Sequence, residues 1–452
     1  MKKVLLIISF LWHIIISHAQ TSPKNKIISG PMLGQVELRT ATVWIEVAAV
    51  VKTIAVKYWE KDDPKTAHIK IYKGLLGNEF NPVKIEIGGL DFNTTYQYTF
   101  LLDGIPVNAQ ASFTTKDLWQ WRKPAPDFSF LTGSCAYFNE PVFDRPGKPY
   151  GGDSTIFETM TKTPAAFMLW LGDNWYTRET DISSEWGLYY RASHDRRLHI
   201  LQNFWKTMSH YAIWDDHDYG PDDAGGDYIL KEASRKLFMS YWGNPSFGQD
   251  GKGIYTKVSY GDVDIFLTDD RYFRSANNLA DSIDGKPNTD KHFFGAAQME
   301  WLKNALVYSN ATFKIIAIGS QVLNPSHKEF ESMRHFSAEY NELMNFLNEQ
   351  KLSGVLFLSG DRHHSEVIKT PRAGNYTLYD ITSSPLTSGI SKVRGDEINN
   401  PFRIPGTLVE EQNFSRITVS GKSGERKLTV EFIGLKGDKL SLWTVDEKEL
   451  KP

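Results

Sequence analysis

A chain of 452 residues is long enough for more than one domain and a large core. Its 51 lysines and arginines against 54 aspartates and glutamates leave a formal charge of −3, which excludes a general nucleic-acid binder working through a phosphate-neutralising surface. One cysteine, Cys135, excludes an internal disulfide and is either a buried small hydrophobe or a thiol kept for chemistry.

Residues 1–19 read as a general secretory signal: Lys2 and Lys3, an apolar run from Val4 to Ile16, then the small-x-small site Ser17-His18-Ala19. The run is shorter than the ~20 residues a membrane span needs. An exported protein, periplasmic or secreted, with no membrane span after cleavage is therefore expected; an uncleaved anchor is the alternative. Asn-x-Ser/Thr sequences at Asn93, Asn310, Asn375 and Asn413 matter only in a host that glycosylates.

Over residues 22–115, short alternating apolar and polar runs (42–47, 53–59, 83–87 and 95–100) are separated by turn residues, the pattern of a fibronectin III or immunoglobulin-like sandwich. Residues 116–127, with Trp121, Pro124 and Pro126, read as a linker. From 128 to about 450 the pattern changes. Apolar strand-like runs at 128–131, 167–171, 263–267, 313–318 and 355–358 alternate with helical stretches around 154–162, 184–209, 229–242, 297–309 and 336–350. That is an α/β domain. Three further strands, 414–419, 427–432 and 440–445, are expected to extend one of its sheets. Polar insertions at 138–153, 221–228, 275–293 and 387–407 have the length of loops that cover active sites.

In open α/β sheets ligands bind beyond the carboxyl ends of strands, and here those ends carry the unusual residues. Gly354 to Leu358 is an apolar run that leads into Ser359-Gly-Asp-Arg-His-His364. The run 128–131 leads to Gly133-Ser-Cys135, the run 167–171 to Gly172-Asp-Asn-Trp-Tyr176, and Met208 to Ile213 to Trp214-Asp-Asp-His-Asp218. Another ends in Asp269-Asp-Arg-Tyr-Phe-Arg274. Adjacent acids repel unless cations compensate, so the joint occurrence points to metal. A solvated turn remains the alternative for any one cluster.

Together with Thr382-Ser-Ser-Pro-Leu386, these motifs resemble the alkaline phosphatase D (PhoD-like) family of the calcineurin-like metallophosphatase superfamily, over nearly the whole mature chain. The resemblance implies a fibronectin-like N-terminal domain, a four-layer αββα catalytic domain and a mixed Fe³⁺ and Ca²⁺ centre. By that resemblance Cys135, Asp173, Tyr176 and His363 hold iron, while Asp173 bridges to a calcium site completed by Asp216 and Asp361. Another divalent pair, Zn²⁺ or Mn²⁺, is the alternative. The activity implied is hydrolysis of phosphomonoesters, phosphodiesters or both, by a metal-activated hydroxide attacking phosphorus.

His217 is the expected proton donor to the leaving group, or else a residue orienting Asp216. Arg271 is the expected phosphate clamp with Arg274 second, unless both are counter-ions to Asp269 and Asp270. His364 is a further substrate-pocket candidate. A monomer acting on a small phosphate ester follows, with no stable nucleic-acid partner. Rival readings are a nuclease or phospholipase on the same scaffold, or a non-catalytic two-domain binding protein. The chain departs from the family pattern in three places: Asp222 and Asp223 where an Asn is common, Gln321 where related enzymes place a His ligand, and Lys-Lys rather than twin arginine in the signal.

Overall fold

The computed structural model describes residues 26–108, 110–325 and 331–452. The expected export signal, residues 1–19, lies outside them. Eight strands make the N-terminal region: β1 (Ile27–Val36), β2 (Thr40–Val47), β3 (Ile54–Glu60), β4 (Asp63–Ile71), β5 (Asn81–Gly88), β6 (Thr95–Leu102), β7 (Ile105–Pro106) and β8 (Ala111–Thr114). Two sheets, β1-β2-β5 and the set β3, β4, β6, β7 and β8, enclose one core that includes Val43, Ile45, Val56, Ile85, Tyr98 and Phe100. Strand alternation explains how β2 serves two cores. Ala41, Val43, Ile45 and Val47 face this one, and Trp44 turns the other way into the main core.

The remaining strands are β9 (Phe128–Gly133), β10 (Phe167–Leu171), β11 (Ser209–Ile213), β12 (Thr256–Tyr260), β13 (Val263–Leu267), β14 (Ser282–Ile283), β15 (Lys286–Pro287), β16 (Phe313–Ile318), β17 (Val355–Ser359), β18 (Glu366–Arg372), β19 (Asn375–Thr382), β20 (Asn413–Ser420), β21 (Lys427–Gly434) and β22 (Lys439–Asp446). Helices are α1 (Ile156–Lys162), α2 (Glu185–Arg196), α3 (His199–Phe204), α4 (Asp216–Tyr219), α5 (Lys231–Tyr241), α6 (Gly295–Tyr308) and α7 (Ser337–Glu349). A nine-stranded sheet runs β22-β21-β20-β9-β10-β11-β1-β2-β5, and a six-stranded sheet β12-β13-β16-β17-β19-β18.

The expected C-terminal strands do extend a sheet, since β20 pairs antiparallel with β9. The parallel pairing of β1 with β11, Leu33 opposite Ser209, makes the N-terminal strands the far edge of the same sheet. No local pattern announces this contact.

Residues of β10 face alternately two ways. Phe167 meets Tyr260 of β12, between the sheets, and Trp170 meets Phe157 of α1 and Phe204 of α3 on the outside. Trp301 of α6 covers Phe266 of β13 on the opposite outer face. The helix expected over 184–209 is broken at Leu198, whose extended backbone (ψ 136°) separates α2 from α3. That turn lets Leu201, Phe204 and Trp205 bury themselves in the main core.

At the turn Arg196 is buried in an aromatic cage, its guanidinium 4.8 Å from the ring of Trp44 and 4.4 Å from those of Trp205 and Trp242. Trp44 also donates from its indole nitrogen to the Ser240 carbonyl of α5 at 2.9 Å. Trp44→Ala is expected to destabilise the chain by about 3–5 kcal/mol, read by denaturant unfolding. A loss below about 1 kcal/mol would mean that Trp44 does not tie the N-terminal strands to the main core.

Candidate metal centre

The expected ligands meet where β9, β10, β11 and β17 end. Four of them have left-handed backbones: Cys135 (φ 63°), Asp173 (51°), Asp361 (63°) and His363 (56°). Non-glycine residues avoid that region unless the surroundings impose it, and such strain gathers at functional sites. Two glycines allow the strand ends to approach. A Cβ on Gly172 (φ 91°) would lie 2.6 Å from the Asp215 Cβ, and one on Gly360 would lie 2.7 Å from both the Leu171 carbonyl oxygen and the Ser134 Cβ.

Four donor atoms converge on one point. The Cys135 thiol donates to Asp173 Oδ2 at 3.6 Å, the Tyr176 hydroxyl donates to the same oxygen at 2.9 Å, and that hydroxyl lies 3.2 Å from His363 Nε2. Bonds of ~2.0–2.3 Å to one ion set tetrahedral ligand atoms roughly 3.3–3.8 Å apart, and these separations, one within that range and two up to a few tenths of an ångström below it, place the four atoms within reach of a single cation. Cys135, Asp173 and Tyr176 are buried. Asp173, Asp216 and His217 form a second group of potential ligands, and Asp173 belongs to both. Its Oδ1 accepts from the His217 backbone N–H at 3.3 Å, so its two oxygens face different sides.

The run of acids after β11 divides by role. Asp215 and Asp218 close the first turn of α4, the Asp215 N–H donating to Asp218 Oδ1 at 2.7 Å. Asp216 and His217 are left for the site. Asp216 Oδ2 accepts from the Asp223 N–H at 2.8 Å, and His217 Nε2 lies 3.4 Å from Asp222 Oδ1 and 4.0 Å from Asp216 Oδ2. The His217 ring lies against that of Tyr176, centroids 4.2 Å apart.

Burial pushes the Cys135 thiol up to about 11 and the Tyr176 phenol well above its usual range. Burial, then repulsion from Asp216, raises the Asp173 carboxyl far above the usual carboxylate range. Burial, then Glu331 and Asp216, lifts Asp361 to about 7. Burial also lowers His363, while Asp216 is held low because His217 and Arg271 outweigh its burial. Among the described residues no lysine or arginine pairs with Asp173. Clustered, desolvated donors around Asp173, with Arg271 reaching only Asp216 among them, fit a bound metal, whose charge reverses each of the raised shifts.

Other expected site residues fall elsewhere. The Asp361 carboxylate joins neither ligand group, although its backbone carbonyl lies 3.6 Å from Cys135 Sγ. Arg271 is fully buried; its Nε donates to Asp215 Oδ1 at 2.6 Å and its terminal nitrogens bind Glu331, with Asp216 Oδ1 3.9 Å away. Arg274 is buried too, pairing with Glu331 at 2.7 Å and lying over Phe293 and Phe336. His364 packs behind the site, 3.2 Å from the Ser391 carbonyl and 3.5 Å from Glu366. Gln321 accepts from Arg362 at 2.6 Å and donates to Glu366 and Thr382. Asn413, one of the four sequons, is wholly buried with its amide on the Ser384 carbonyl, so it cannot carry a glycan in the folded chain.

A cavity of about 470 Å³ opens beside Tyr176 and His217. Sequence reasoning missed its far wall, which is Tyr137, Lys148 and Tyr150 from the loop after β9. The only signal was that loop's length. Glu331 was missed as well, because nothing near it in the chain resembles a site.

The sequence profile described as PhoD-like phosphatase matches residues 130–413. A second profile, a domain of unknown function (DUF7800), matches residues 24–118. No curated protein matches the chain. Among solved structures, one described as PhoD superposes with a TM-score of 0.74 at 17% identity, covering 94% of this chain and 92% of that one. Purple acid phosphatase PPD1 from yellow lupin (Lupinus luteus) gives a TM-score of 0.67 at 10% identity, covering 92% of this chain and 74% of that one. These two share the fold, and the profile covers well over half the chain. With two groups of potential metal ligands at the ends of its strands, the chain belongs to the PhoD-like phosphatase family and is a metal-dependent hydrolase of phosphoric esters.

Proposed function

We propose that this chain is an exported, monomeric phosphatase of phosphomonoesters, phosphodiesters or both, with Fe³⁺ held by Cys135, Asp173, Tyr176 and His363. Ca²⁺ would be held by Asp173 and Asp216, with Asp361 as the third ligand once the ion draws its carboxylate in. The observation that carries the reading is the convergence of a thiol, a phenol, an imidazole and a carboxylate on one buried point. Thiolate, phenolate and imidazole suit iron, and carboxylates suit Ca²⁺. Export rests on the signal-like residues 1–19. The two N-terminal sheets around one core support a fibronectin III-like sandwich there. Among the described residues no helix is long and apolar enough to cross a membrane.

When bound, the metal pair supplies neutralisation of the phosphoryl oxygens and activation of the attacking water. The chain's own residues do the rest. Asp173 fixes the relative position of the two ligand groups through its two oxygens. His217, on the wall of the cavity and with Asp222 Oδ1 3.4 Å from its Nε2, donates a proton from Nε2 to the departing alkoxide oxygen. The leaving alcohol occupies the cavity. Arg271 and Arg274 act in this reading as counter-ions to Asp215 and Glu331, and His364 supports the strand end from behind.

Protein purified without chelator is expected to contain iron and to show a visible charge-transfer band that Tyr176→Phe bleaches or shifts. Absorption and elemental analysis check this. Colourless, iron-free protein that hydrolyses esters with Zn²⁺ or Mn²⁺ would overturn the iron assignment and leave the phosphatase reading intact.

A further inference from the structure

The loop from 139 to 153, between β9 and α1, has no helix or strand, yet it is fastened at several points. Asn139 and Gly151 hold each other twice, side-chain nitrogen to carbonyl at 2.8 Å and backbone N–H to side-chain oxygen at 2.9 Å. Gly152 N–H donates to the Thr387 carbonyl at 2.6 Å, and Asp153 N–H to Gln412 Oε1 at 2.9 Å. The clasp holds Tyr150 beside the centre. Its ring packs edge-on against Tyr137 at 4.9 Å, and a Cβ on Gly389 would come within 2.9 Å of it, so a glycine leaves the ring its space.

The Tyr150 hydroxyl lies 2.9 Å from His363 Nδ1, and among the described residues it is the only hydrogen-bond partner of that nitrogen. The opposite ring nitrogen, Nε2, faces Tyr176 and the convergent donors. A ligating histidine needs its second nitrogen anchored, because that bond fixes both the tautomer and the ring plane. Here the anchor is a phenol 44% exposed and standing in the wall of the cavity beside Tyr176 and His217.

We infer that Tyr150 is a positioning residue that holds His363 for metal from the substrate side, accepting the Nδ1 proton while its ring walls the leaving-group cavity. The inference rests on the reading of His363 as a ligand. One loop therefore shapes two things at once, the imidazole's aim and the space for the alcohol. Loss of the hydroxyl loosens the imidazole, and loss of the ring also opens the cavity.

The test titrates metal-free protein with Co²⁺, followed by the thiolate-to-cobalt absorption that reports on Cys135, in wild type, Tyr150→Phe, Tyr150→Ala and His363→Ala. Tyr150→Phe is expected to weaken Co²⁺ binding about 10–100-fold, with KM for an aryl phosphate at saturating metal little changed. Tyr150→Ala is expected to weaken metal binding similarly and to raise KM as well. Wild-type Co²⁺ affinity in Tyr150→Phe, with binding lost in His363→Ala, overturns the inference and leaves the ligand reading standing. Wild-type affinity in His363→Ala overturns the ligand reading itself, and the inference with it.

Discussion

Asp173→Asn is expected to lower kcat/KM by about 10³–10⁵-fold, the several kcal/mol of charge stabilisation that a metal pair lends to phosphoryl transfer. Metal content is expected to fall with it, because Asp173 is the one side chain common to both ligand groups. Stability should move in opposite directions with and without metal. Burial and repulsion from Asp216 raise the folded pKa of Asp173 above its unfolded value. A carboxyl group so raised detracts from stability once pH passes the unfolded value of about 3.9, and the penalty is full above the folded pKa. At neutral pH the metal-free wild type carries that penalty and the amide does not. Metal-free Asp173→Asn should therefore melt above metal-free wild type, while metal-loaded wild type melts above both. Calorimetry with and without chelator reads this. A variant that metal stabilises as much as it stabilises wild type would mean that Asp173 is no metal ligand.

His217→Asn carries the second large effect, and its pattern matters more than its size. A proton donor contributes about 10²–10⁴-fold, and that contribution is needed most when the leaving alkoxide is basic. Alkyl phosphates are therefore expected to lose activity by that factor, and aryl phosphates with acidic phenols far less. Since His217 also stands within reach of Asp173 and Asp216, metal content must be measured beside the kinetics. Metal retained with a leaving-group-dependent loss identifies the proton donor. Equal losses on all esters together with lost metal would make His217 a ligand instead.

The sequence by itself determined where chemistry sits along the chain. Strands β10, β16 and β17 are covered on both faces, so β10 is written as an unbroken apolar run and the other two as apolar runs interrupted only by Lys314 or ended by Ser359, and the polar residues after each run mark the strand end. Cys135, Asp173, Tyr176, Asp216 and His363 each lie within a few residues of a strand end, which is why the polar clusters that hold them stand out in the sequence, while the resemblance supplied their individual roles. Helices α5, α6 and α7 were legible from their spacing.

Only the tertiary structure decided which groups become partners. The exposed strand β4 lacks a buried face and so has no apolar alternation to read, and β1 gives no local hint that it will pair with β11. Arg271 read as a phosphate clamp or a counter-ion to its neighbours Asp269 and Asp270, because its partners Asp215 and Glu331 lie 56 and 60 residues away. Tyr150 lies 213 residues from His363. Local pattern records burial and period, which depend on neighbouring residues. Charge pairing and hydrogen-bond partners depend on how distant segments close on one another, and that is set when the two sheets pack around their common core.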